Sequence, residues 1–337
     1  MRKSVVFLFR TLLLLALLGP LAAAYQWWQY GHAPVVGANS KTAFEVRRGE
    51  GGRPLATTLQ AAGIPVQAWE LALAWRLRGD SGQVKAGRYE LQGPVTLQGL
   101  LDQLVTGQAA KERMIVIIEG WNFHQVRDAL AKAPELVNAT AGLTDAQVMQ
   151  KVDPNESHPE GLFAPDTYSY PLGSTDLELL SRAYRLQRQR LAEAWQDRAE
   201  GLKVNDERDL LILASIIEKE SARDDERPMV ASVFHNRLRL GMMLQSDPTT
   251  IYGIGQPFDG NLRRDHLRAD TPYNTYVRNG LTPTPISMPG KGALAAAANP
   301  APSKALYFVS RGDGTSEFSN DLNSHNRAVN RYQRKLR

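Results

Sequence analysis

Apolar residues along the chain are spaced in two ways, and the spacing separates strands from helices. Short apolar or alternating runs predict strands at residues 43–47, 86–91, 114–118 and 306–310. Apolar positions three and four residues apart predict helices at residues 54–62, 66–78, 96–106, 122–131, 176–200, 226–240 and 294–298. The strand at 114–118 is apolar throughout, which predicts burial of both its faces, and residues 306–318 predict a hairpin. The pattern as a whole predicts an α+β fold.

One predicted helix is apolar around most of its circumference and carries an acid near its end. It spans Leu210–Arg223, with the sequence LLILASIIEKESAR, and such a helix is usually buried. Glu218 follows the apolar run, and its same-face neighbours are all small: Ala214, Ser215, Ser221 and Ala222. These residues predict a shallow floor over which a bulky ligand can approach Glu218. Glu220 lies about 200° further round the helix, so it points away from that floor.

Glu218 is therefore the first candidate for catalysis. Burial disfavours the charged form of a carboxyl group and raises its pKa, so a buried Glu can donate a proton near neutral pH and then act as a base. Carboxylates at positions i and i+2 of a helix cannot form the facing pair of an ordinary glycosidase, so chemistry on this helix uses one acid. The alternative is a structural role, with Glu218 paired to an arginine such as Arg237 on the next helix.

Two later segments offer side chains suited to a sugar. The first, QSDPTT, predicts a turn in which Gln245, Asp247 and Thr249 can hydrogen-bond sugar hydroxyls. The second, YNTY, predicts a short extended segment with an amide, Asn274, and aromatic faces that include Tyr276. The alternatives are a capping turn for the first segment and a core-facing tyrosine pair for the second.

The N-terminal residues indicate where the protein resides. Two basic residues precede an apolar stretch, whose uninterrupted part after Arg10 is about 15 residues, shorter than the roughly 20 of a membrane span. The apolar residues before Arg10 restore that length, and the following aromatic residues are typical of the far membrane interface: Tyr25, Trp27, Trp28 and Tyr30. We predict a transmembrane anchor at 1–31, with the bulk of the chain outside the cytoplasm. The alternative is a signal peptide cleaved near residues 22–24.

The rest of the chain divides into three predicted parts. A linker is predicted at 32–42, a small module at 43–133, and a mixed helical and loop-rich domain that carries Glu218 at 134–337. The strand–helix–helix–strand order predicted in the small module resembles a LysM-like fold, which can bind glycans. A packing or spacer role for the module is the alternative.

Composition narrows the function classes. The 337 residues include no cysteine, which excludes disulfides and thiol catalysis, and the net charge of +5 is spread out except for a basic C-terminus. The sequence contains no aromatic–basic platform for nucleic acid, no phosphate-binding loop and no Gly-x-Ser-x-Gly elbow. The six histidines are scattered and form no His-x-x-x-His pair, so we predict no metal and no cofactor.

Six segments of the chain follow one another in the order of a known family. They are EGWNF (119–123), EGLFAPDTYSYPLGST (160–175), LASIIEKES (213–221), VASVFHNRLRLGMMLQSDPTTIYGIG (230–255), YNTYVRNGL (273–281) and LYFVSRGDG (306–314). With these segments the chain resembles the MltG (YceG-like) endolytic murein transglycosylases, from about Phe44 to Arg327. It departs from the family pattern at four positions: Ala164, Thr282, Thr284 and Ser316.

The resemblance implies an enzyme of the bacterial inner membrane, anchored by a single pass, with the bulk of the chain in the periplasm and a LysM-like module before its catalytic domain. It implies internal cleavage of the MurNAc–GlcNAc bond in peptidoglycan strands, which leaves 1,6-anhydro-MurNAc ends and terminates the elongation of nascent strands. It places the catalytic glutamate at Glu218, and a lytic transglycosylase needs only one acid/base. Peptidoglycan strands are the implied substrate and peptidoglycan synthases (penicillin-binding proteins) the implied partners. The alternative is a non-enzymatic peptidoglycan-binding or scaffolding protein.

Overall fold

The structure, a computed structural model, describes most of the chain after its N-terminal segment. The described residues are 18, 25, 27–29, 31–37, 40–47, 49–79, 83–107, 113–170, 173–221, 223–255 and 258–333. The predicted anchor at 1–31 lies almost wholly outside them, so its insertion into a membrane stays a prediction. Within these ranges no helix has the length and apolar character needed to cross a bilayer. The chain forms two compact units, Met1–Arg113 with Ser169–Ser174 and Met114–Tyr168 with Thr175–Arg337.

The first unit is built from short strands and helices. Its elements in order are β1 (Pro34–Val36), β2 (Lys41–Val46), α1 (Gly52–Ala61), α2 (Ala68–Arg78), β3 (Gly87–Gln92), β4 (Val95–Thr96) and α3 (Leu97–Thr106). β2 pairs with β3, and β1 pairs with β4, both antiparallel. β1 lies within the predicted linker, and β2–α1–α2–β3 is the strand–helix–helix–strand order on which the LysM-like prediction rests.

The core of the first unit follows from the alternation of buried and exposed residues on β3. Tyr89 on β3 stacks on Phe44 across the β2–β3 pair, with ring centroids 5.4 Å apart. The Tyr89 hydroxyl donates to Lys85 O at 2.6 Å, so the buried ring keeps its polar atom paired. Thr96 caps α3 by accepting a backbone N–H, and Gly79 ends α2 in the left-handed conformation.

From Arg113 onwards the chain is mostly helical. The elements are β5 (Arg113–Ile117), α4 (Phe123–Lys132), α5 (Asp145–Val152), β6 (Asp166–Tyr170), α6 (Asp176–Gln196), α7 (Glu207–Glu220), α8 (Arg227–Arg239), α9 (Asp247–Ile254), α10 (Arg264–Arg268), α11 (Lys291–Ala298), β7 (Tyr307–Ser310), β8 (Ser316–Ser319) and α12 (Leu322–Tyr332). β5 pairs with β6, and β7 pairs with β8 in an antiparallel hairpin. The predicted hairpin and the predicted α+β fold are confirmed.

α7 is the central helix of the second unit. It packs against α6, α8, α9 and α11, and all of Leu210–Ile217 is buried. Asp206 caps its N-terminus by accepting from Asp209 N at 2.8 Å. The prediction of a buried helix is therefore confirmed. Because α7 ends at Glu220, Glu218 lies in its last turn.

Three predictions of local structure are wrong. The YNTY segment forms turns and is not extended, since Val277 N and Arg278 N donate back to Asn274 O at 3.2 and 3.0 Å. The QSDPTT segment forms a helix start, not a turn: α9 begins at Asp247 with Pro248 in its first turn, where the missing N–H costs no helical hydrogen bond. β5 is not buried on both faces, because Ile115 and Ile117 are buried whereas Met114 is 68% exposed. A two-stranded sheet covered on one side produces this alternation even in an apolar strand.

Candidate active site

The small-residue face of α7 is covered by another part of the same chain. Ser215 Oγ accepts from Ile286 N at 3.0 Å, and Ser287 Oγ donates to Ser215 O at 3.1 Å. The prediction of an open floor for a ligand is wrong here, because the small side chains admit the backbone of this segment instead. The segment leads directly to Gly290, which reaches Glu218.

Glu218 is held by one arginine and one backbone N–H. Arg227 Nη2 donates to Glu218 Oε1 at 2.9 Å, and Gly290 N donates to Oε2 at 2.9 Å. The Glu218 side chain is 5% exposed and that of Arg227 is 6% exposed. Arg227 also donates to Asp224 and, at 3.4 Å, to Ser221 O, which fixes its guanidinium group. The buried ion pair therefore has its remaining hydrogen-bonding groups satisfied.

Arg227, not Arg237, is the arginine partner of Glu218. Arg237 Nη1 donates to Leu244 O at 2.9 Å, and its Nε donates to Leu306 O at 2.7 Å. The pairing of Glu218 with Arg237 considered from the sequence is therefore wrong. Arg237 instead holds together the chain segments that follow α8 and precede β7.

Burial controls the protonation of Glu218. Loss of water around the side chain raises the pKa of Glu218 above the ordinary value of glutamate. The Gly290 N–H and the Arg227 guanidinium oppose that rise, because they stabilise the charged form. The nearby carboxylates of Glu119 and Asp224 reinforce the rise. The net pKa is raised, so Glu218 keeps its proton at a higher pH than an exposed glutamate does.

Glu119 is a second carboxylate beside Glu218. Its Oε2 lies 3.6 Å from Arg227 Nη2, and its side chain is 47% exposed. The same Nη2 lies 2.9 Å from Glu218 Oε1, so the two carboxyl oxygens are at most about 6.5 Å apart, the sum of the two distances. A Cβ on Gly290 would lie 1.8 Å from Glu119 Oε1. Only glycine allows this close approach of side chain to backbone.

Glu220 faces away from Glu218, as its position on the helix predicts. Ser246 Oγ donates to Glu220 Oε1 at 2.5 Å. Burial raises the pKa of Glu220 to about 7, although the Ser246 hydrogen bond opposes this rise. Glu220 therefore links α7 to the residue before α9 and does not share the surroundings of Glu218.

Three of the predicted sugar-site residues gather beside Glu220. Gln245 and Asp247 are exposed, and the Tyr276 hydroxyl donates to Asp247 Oδ1 at 2.5 Å. Gln245 adopts a left-handed φ of 51°, and its Oε1 accepts from Arg237 Nη1 at 3.3 Å. These three side chains surround the start of α9.

The other two predicted sugar-site residues, Thr249 and Asn274, are fully buried. Thr249 Oγ1 donates to Ser246 O at 2.7 Å, and Asn274 Nδ2 donates to Ala269 O at 2.7 Å. Asn274 Oδ1 accepts from Tyr276 N at 2.9 Å. These side chains stabilise the start of α9, which carries Asp247, and the turn that carries Tyr276, so any effect they have on a sugar passes through those two segments. The sugar-binding role of all five residues stays a prediction.

A cleft of ≈ 1050 Å³ opens beside Glu218. Gly120 and Lys219 line it, and a Cβ built on Gly120 would lie 3.9 Å from Glu218 Cγ. The lining combines aliphatic residues, such as Ile251 and Ile286, with aromatic and polar ones, among them Asn122, Glu160, Tyr252, Phe258 and Tyr273. Within the described part of the chain, none of the five predicted sugar-site residues lines this cleft. The cleft approaches Glu218 from a side that the sequence did not indicate.

Three residues that contact Glu218 or Arg227, or are Arg227 itself, were not predicted from the sequence to be part of the site. Glu119 stands in the EGWNF segment, so the family resemblance marked the segment without assigning a function to the residue. Gly290 stands in the passage MPGKG, where a glycine required by close approach cannot be told from the glycine of a turn. Arg227 is one of several arginines near α7, and only the fold selects it.

Comparison with known proteins identifies the family. The model of the YceG-like family matches residues 44–331. An endolytic murein transglycosylase of Bacillus subtilis (strain 168) is 32% identical over 273 residues, covering 76% of this chain and 75% of that protein. An endolytic murein transglycosylase of Streptococcus pneumoniae serotype 2 (strain D39 / NCTC 7466) is 28% identical over an alignment of 360 residues, covering 96% of this chain and 64% of that protein.

A solved structure supports the same relationship. The 2.6 Å crystal structure of a YceG-like protein from Listeria monocytogenes matches with a TM-score of 0.53 and 27% sequence identity, covering 85% of this chain and 98% of that chain. The family predicted from the six sequence segments is therefore confirmed. With a family model that spans both compact units, the chain belongs to the YceG-like family.

Proposed function

We propose that this protein is an endolytic murein transglycosylase that cuts peptidoglycan glycan strands internally. One observation carries the proposal: Glu218, a buried carboxyl group with a raised pKa, lies in the last turn of α7 and is held by Arg227 and Gly290 N. The relatives from Bacillus subtilis and Streptococcus pneumoniae are named endolytic murein transglycosylases, which supports the same activity for this chain.

Glu218 acts first as an acid. Its raised pKa favours the protonated form, and in that form it donates its proton to the oxygen of the MurNAc–GlcNAc bond. The bond between this oxygen and C1 of the muramic acid breaks, and the GlcNAc side leaves with a new hydroxyl group. The charge that remains on Glu218 is stabilised by Arg227 Nη2 and Gly290 N, which bind one carboxyl oxygen each.

Glu218 then acts as a base. Its carboxylate takes the proton of the muramic acid 6-hydroxyl while O6 bonds to C1, which closes the 1,6-anhydro ring. Glu218 finishes the cycle protonated, and no water is consumed. Because the substrate supplies the nucleophile, no second carboxylate has to attack C1.

Hydrolysis is the specific alternative, because Glu119 lies within about 6.5 Å of Glu218. Retaining glycosidases place two carboxyl groups about 5–5.5 Å apart and use one of them as the nucleophile. In that reaction Glu119 would attack C1, and water would later release the strand with an ordinary reducing end. The two reactions therefore differ in their products.

Mass analysis of the released glycan fragments separates these alternatives. We expect the wild-type protein to leave 1,6-anhydro-MurNAc ends, lighter by one water than hydrolytic ends. Glu218→Gln keeps the size of the side chain but cannot transfer the proton, so it should release no fragments while unfolding at the wild-type temperature. Reducing ends in place of anhydro ends would overturn the transglycosylase assignment, and full activity of Glu218→Gln would overturn the role of Glu218.

We further propose that the loops around α9 shape the sugar site. Asp247 and Tyr276 are the side chains available to a ligand there, with Gln245 beside them. The buried side chains of Thr249 and Asn274 hold the start of α9 and the turn of Tyr276 in place. Tyr276→Phe removes the hydroxyl that bonds Asp247 and should weaken strand binding without changing the anhydro product. Unchanged binding by this variant would contradict the proposal that Asp247 and Tyr276 belong to the sugar site.

We also propose that residues 1–31 anchor the protein in the bacterial inner membrane, with the bulk of the chain in the periplasm. The apolar stretch after Arg10 and the aromatic residues after it support this. Strands cut next to the membrane stop elongating there, beside the peptidoglycan synthases that make them. Full-length protein should stay in the membrane fraction after carbonate extraction, whereas a chain starting at residue 32 should be released. A mature N-terminus near residue 25 would instead establish a cleaved signal peptide.

A further inference from the structure

Two tyrosine rings line the cleft, whose lining also includes Gly120 and Lys219 beside Glu218. Tyr252 on α9 and Tyr273 after α10 lie edge to face, with ring centroids 4.9 Å apart and planes at 61°. Both side chains are half-buried, so each presents part of its ring to the cleft. Gly253 permits this approach, because a Cβ there would lie 3.0 Å from Tyr273 Cβ and 2.8 Å from Thr271 Oγ1.

The hydroxyl group of each ring is bonded to a buried side chain. Tyr252 OH donates to Glu160 Oε2 at 3.0 Å, and Tyr273 OH lies 2.8 Å from Thr284 Oγ1. Thr284, one of the four departures from the family pattern, donates its own hydrogen to Pro285 O, so Tyr273 is the donor of this pair. Glu160 is 5% exposed and Thr284 is 7% exposed. Turning either ring out of the cleft would remove one hydrogen bond from a buried polar side chain.

Glu160 connects two parts of the cleft lining. Besides Tyr252 OH, it accepts from Phe123 N, which lies 3.1 Å from Oε1. Phe123 is the first residue of α4, and Asn122 before it also lines the cleft. One buried carboxyl group therefore fixes the start of α4 relative to the tyrosine on α9. No reacting atom has to touch Glu160 for this effect.

The lining of the cleft has the composition of a carbohydrate site. Ligand sites combine apolar and aromatic surface with a few convergent polar groups, and an aromatic ring can cover the C–H face of a pyranose ring. The cleft supplies both kinds of group: Tyr252, Tyr273 and Phe258 on one hand, and Asn122, Gln125 and Ser157 on the other. Its volume of ≈ 1050 Å³ is slightly larger than that of ordinary ligand sites, about 300–1,000 Å³, which suits more than one sugar ring.

We propose that Tyr252 and Tyr273 form a stacking wall for an N-acetylhexosamine of the glycan strand, and that Glu160 is the positioning residue that holds Tyr252 in this wall. The choice of sugar rests on the proposed function. The wall is a separate subsite of the proposed enzyme, apart from Asp247 and Tyr276. The cleft that contains it is also lined by Gly120 and Lys219, beside the acid.

Strand binding by a protein that cannot cut tests the wall. The background is Glu218→Gln, and the probe is a fluorescently labelled, peptide-free peptidoglycan glycan strand whose binding is followed by anisotropy. We expect Tyr252→Ala to weaken binding about tenfold, because a buried aromatic anchor carries a large share of binding energy. Tyr252→Phe and Glu160→Ala should each weaken binding about two- to fivefold, since the ring remains but loses its hydrogen bond.

The chain offers a matched control outside the cleft. Tyr332 OH donates to Glu317 Oε2 at 2.8 Å, which reproduces the tyrosine–glutamate pair at another place in the fold. Tyr332→Ala and Glu317→Ala should leave strand binding unchanged. Glu160→Ala and Tyr252→Phe together should weaken binding by less than the sum of the two single losses, because both changes remove the same Tyr252–Glu160 hydrogen bond. A general structural role of Glu160 would make the two losses add.

The proposal is overturned if Tyr252→Ala, added to Glu218→Gln, binds the strand as tightly as Glu218→Gln alone does and unfolds at the same temperature. If Tyr252→Ala does not fold, the two milder variants provide the test. The proposal is then overturned if Tyr252→Phe and Glu160→Ala both bind the strand as tightly as Glu218→Gln alone does. The test is independent of cleavage: strand binding that depends on Tyr252, together with a wild-type protein that forms no anhydro ends, refutes the proposed reaction and leaves the wall standing.

Discussion

Glu119→Gln tests whether the second carboxylate at the site controls the protonation of the acid. The substitution removes one negative charge and keeps the size of the side chain, so the close contact with Gly290 remains. The charged groups that act on Glu218 are Arg227 on α8, Asp224 just before it, and Glu119 on the loop before α4. Removing the Glu119 charge makes the carboxylate form of Glu218 easier to reach, so the pKa of Glu218 falls.

Coulomb's law sets the size of this effect. At the upper limit of about 6.5 Å, two like unit charges repel by at least about 2.5 kcal/mol at an effective dielectric constant of 20 and by at least about 0.6 kcal/mol in bulk water. Glu119 is 47% exposed, so solvent screening places the effect towards the lower value. We expect the alkaline limb of the pH–activity profile to move down by about half to one pH unit, at about 1.4 kcal/mol per unit.

The assay is the rate of anhydro-end formation at low strand concentration, measured across pH. Its alkaline limb follows the loss of the proton from Glu218, because the acid must be protonated to cleave the bond. Glu207→Gln is the control, since it removes the same charge at the opposite end of α7 and should leave the limb in place. The shift of the alkaline limb between wild type and Glu119→Gln should also become smaller as salt is added, because salt screens the repulsion between the two carboxylates. An alkaline limb that stays in place or moves up in Glu119→Gln refutes this account of the acid.

Three further changes test the packing around the site. Gly290→Ala places a Cβ against the Glu119 carboxyl and displaces the N–H that binds the acid, so strand cleavage should fall at least about tenfold. Wild-type cleavage rates would contradict the close approach. Leu213→Ala should lower the free energy of unfolding by about 2–5 kcal/mol in a denaturant titration, because it opens a cavity in a fully buried helix, whereas exposed Leu240→Ala should cost less than about 0.5 kcal/mol. Equal losses would argue against burial as the cause. The pKa of Glu220 is about 7 in the folded state against 4.5 for an ordinary glutamate, so its contribution to stability is present below pH 4.5 and is lost as pH rises to about 7. Glu220→Gln should therefore gain up to about 3 kcal/mol relative to wild type between pH 4 and pH 8, and a difference that does not change with pH would contradict this.

The spacing of apolar residues predicted those features of the fold that depend only on residues near one another in the chain. The apolar run of α7 fixed its burial, and the angle between Glu218 and Glu220 followed from helix geometry alone. The QSDPTT segment was misjudged because Pro248 suits the second position of a turn and the first turn of a helix equally well. Local sequence does not separate those two outcomes.

Features that depend on contacts between distant segments of the chain could not be predicted from the sequence. The sequence presents Thr249 and Asn274 as polar residues outside the predicted helices and strands, but the fold turns their side chains inward to satisfy backbone groups. Gly290 and Glu119 meet only because separate segments cross beside α7, and no spacing along the chain encodes that crossing. Tyr252 lies on a helix that the sequence did not predict, so its place in the cleft could not be derived either.

The backbone contacts of the Glu218 region join segments that are far apart in the chain, and this has a consequence during synthesis of the chain. Gly290 stands 72 residues after Glu218, and Gly120, whose carbonyl accepts from Lys219, stands 99 residues before Lys219. Chains emerge from the ribosome N-terminal end first. A chain synthesised only as far as α7 carries the acid but lacks the segment that shields it from water and donates to it. The surroundings of the Glu218 carboxyl group are therefore complete only after the chain has been synthesised past Gly290.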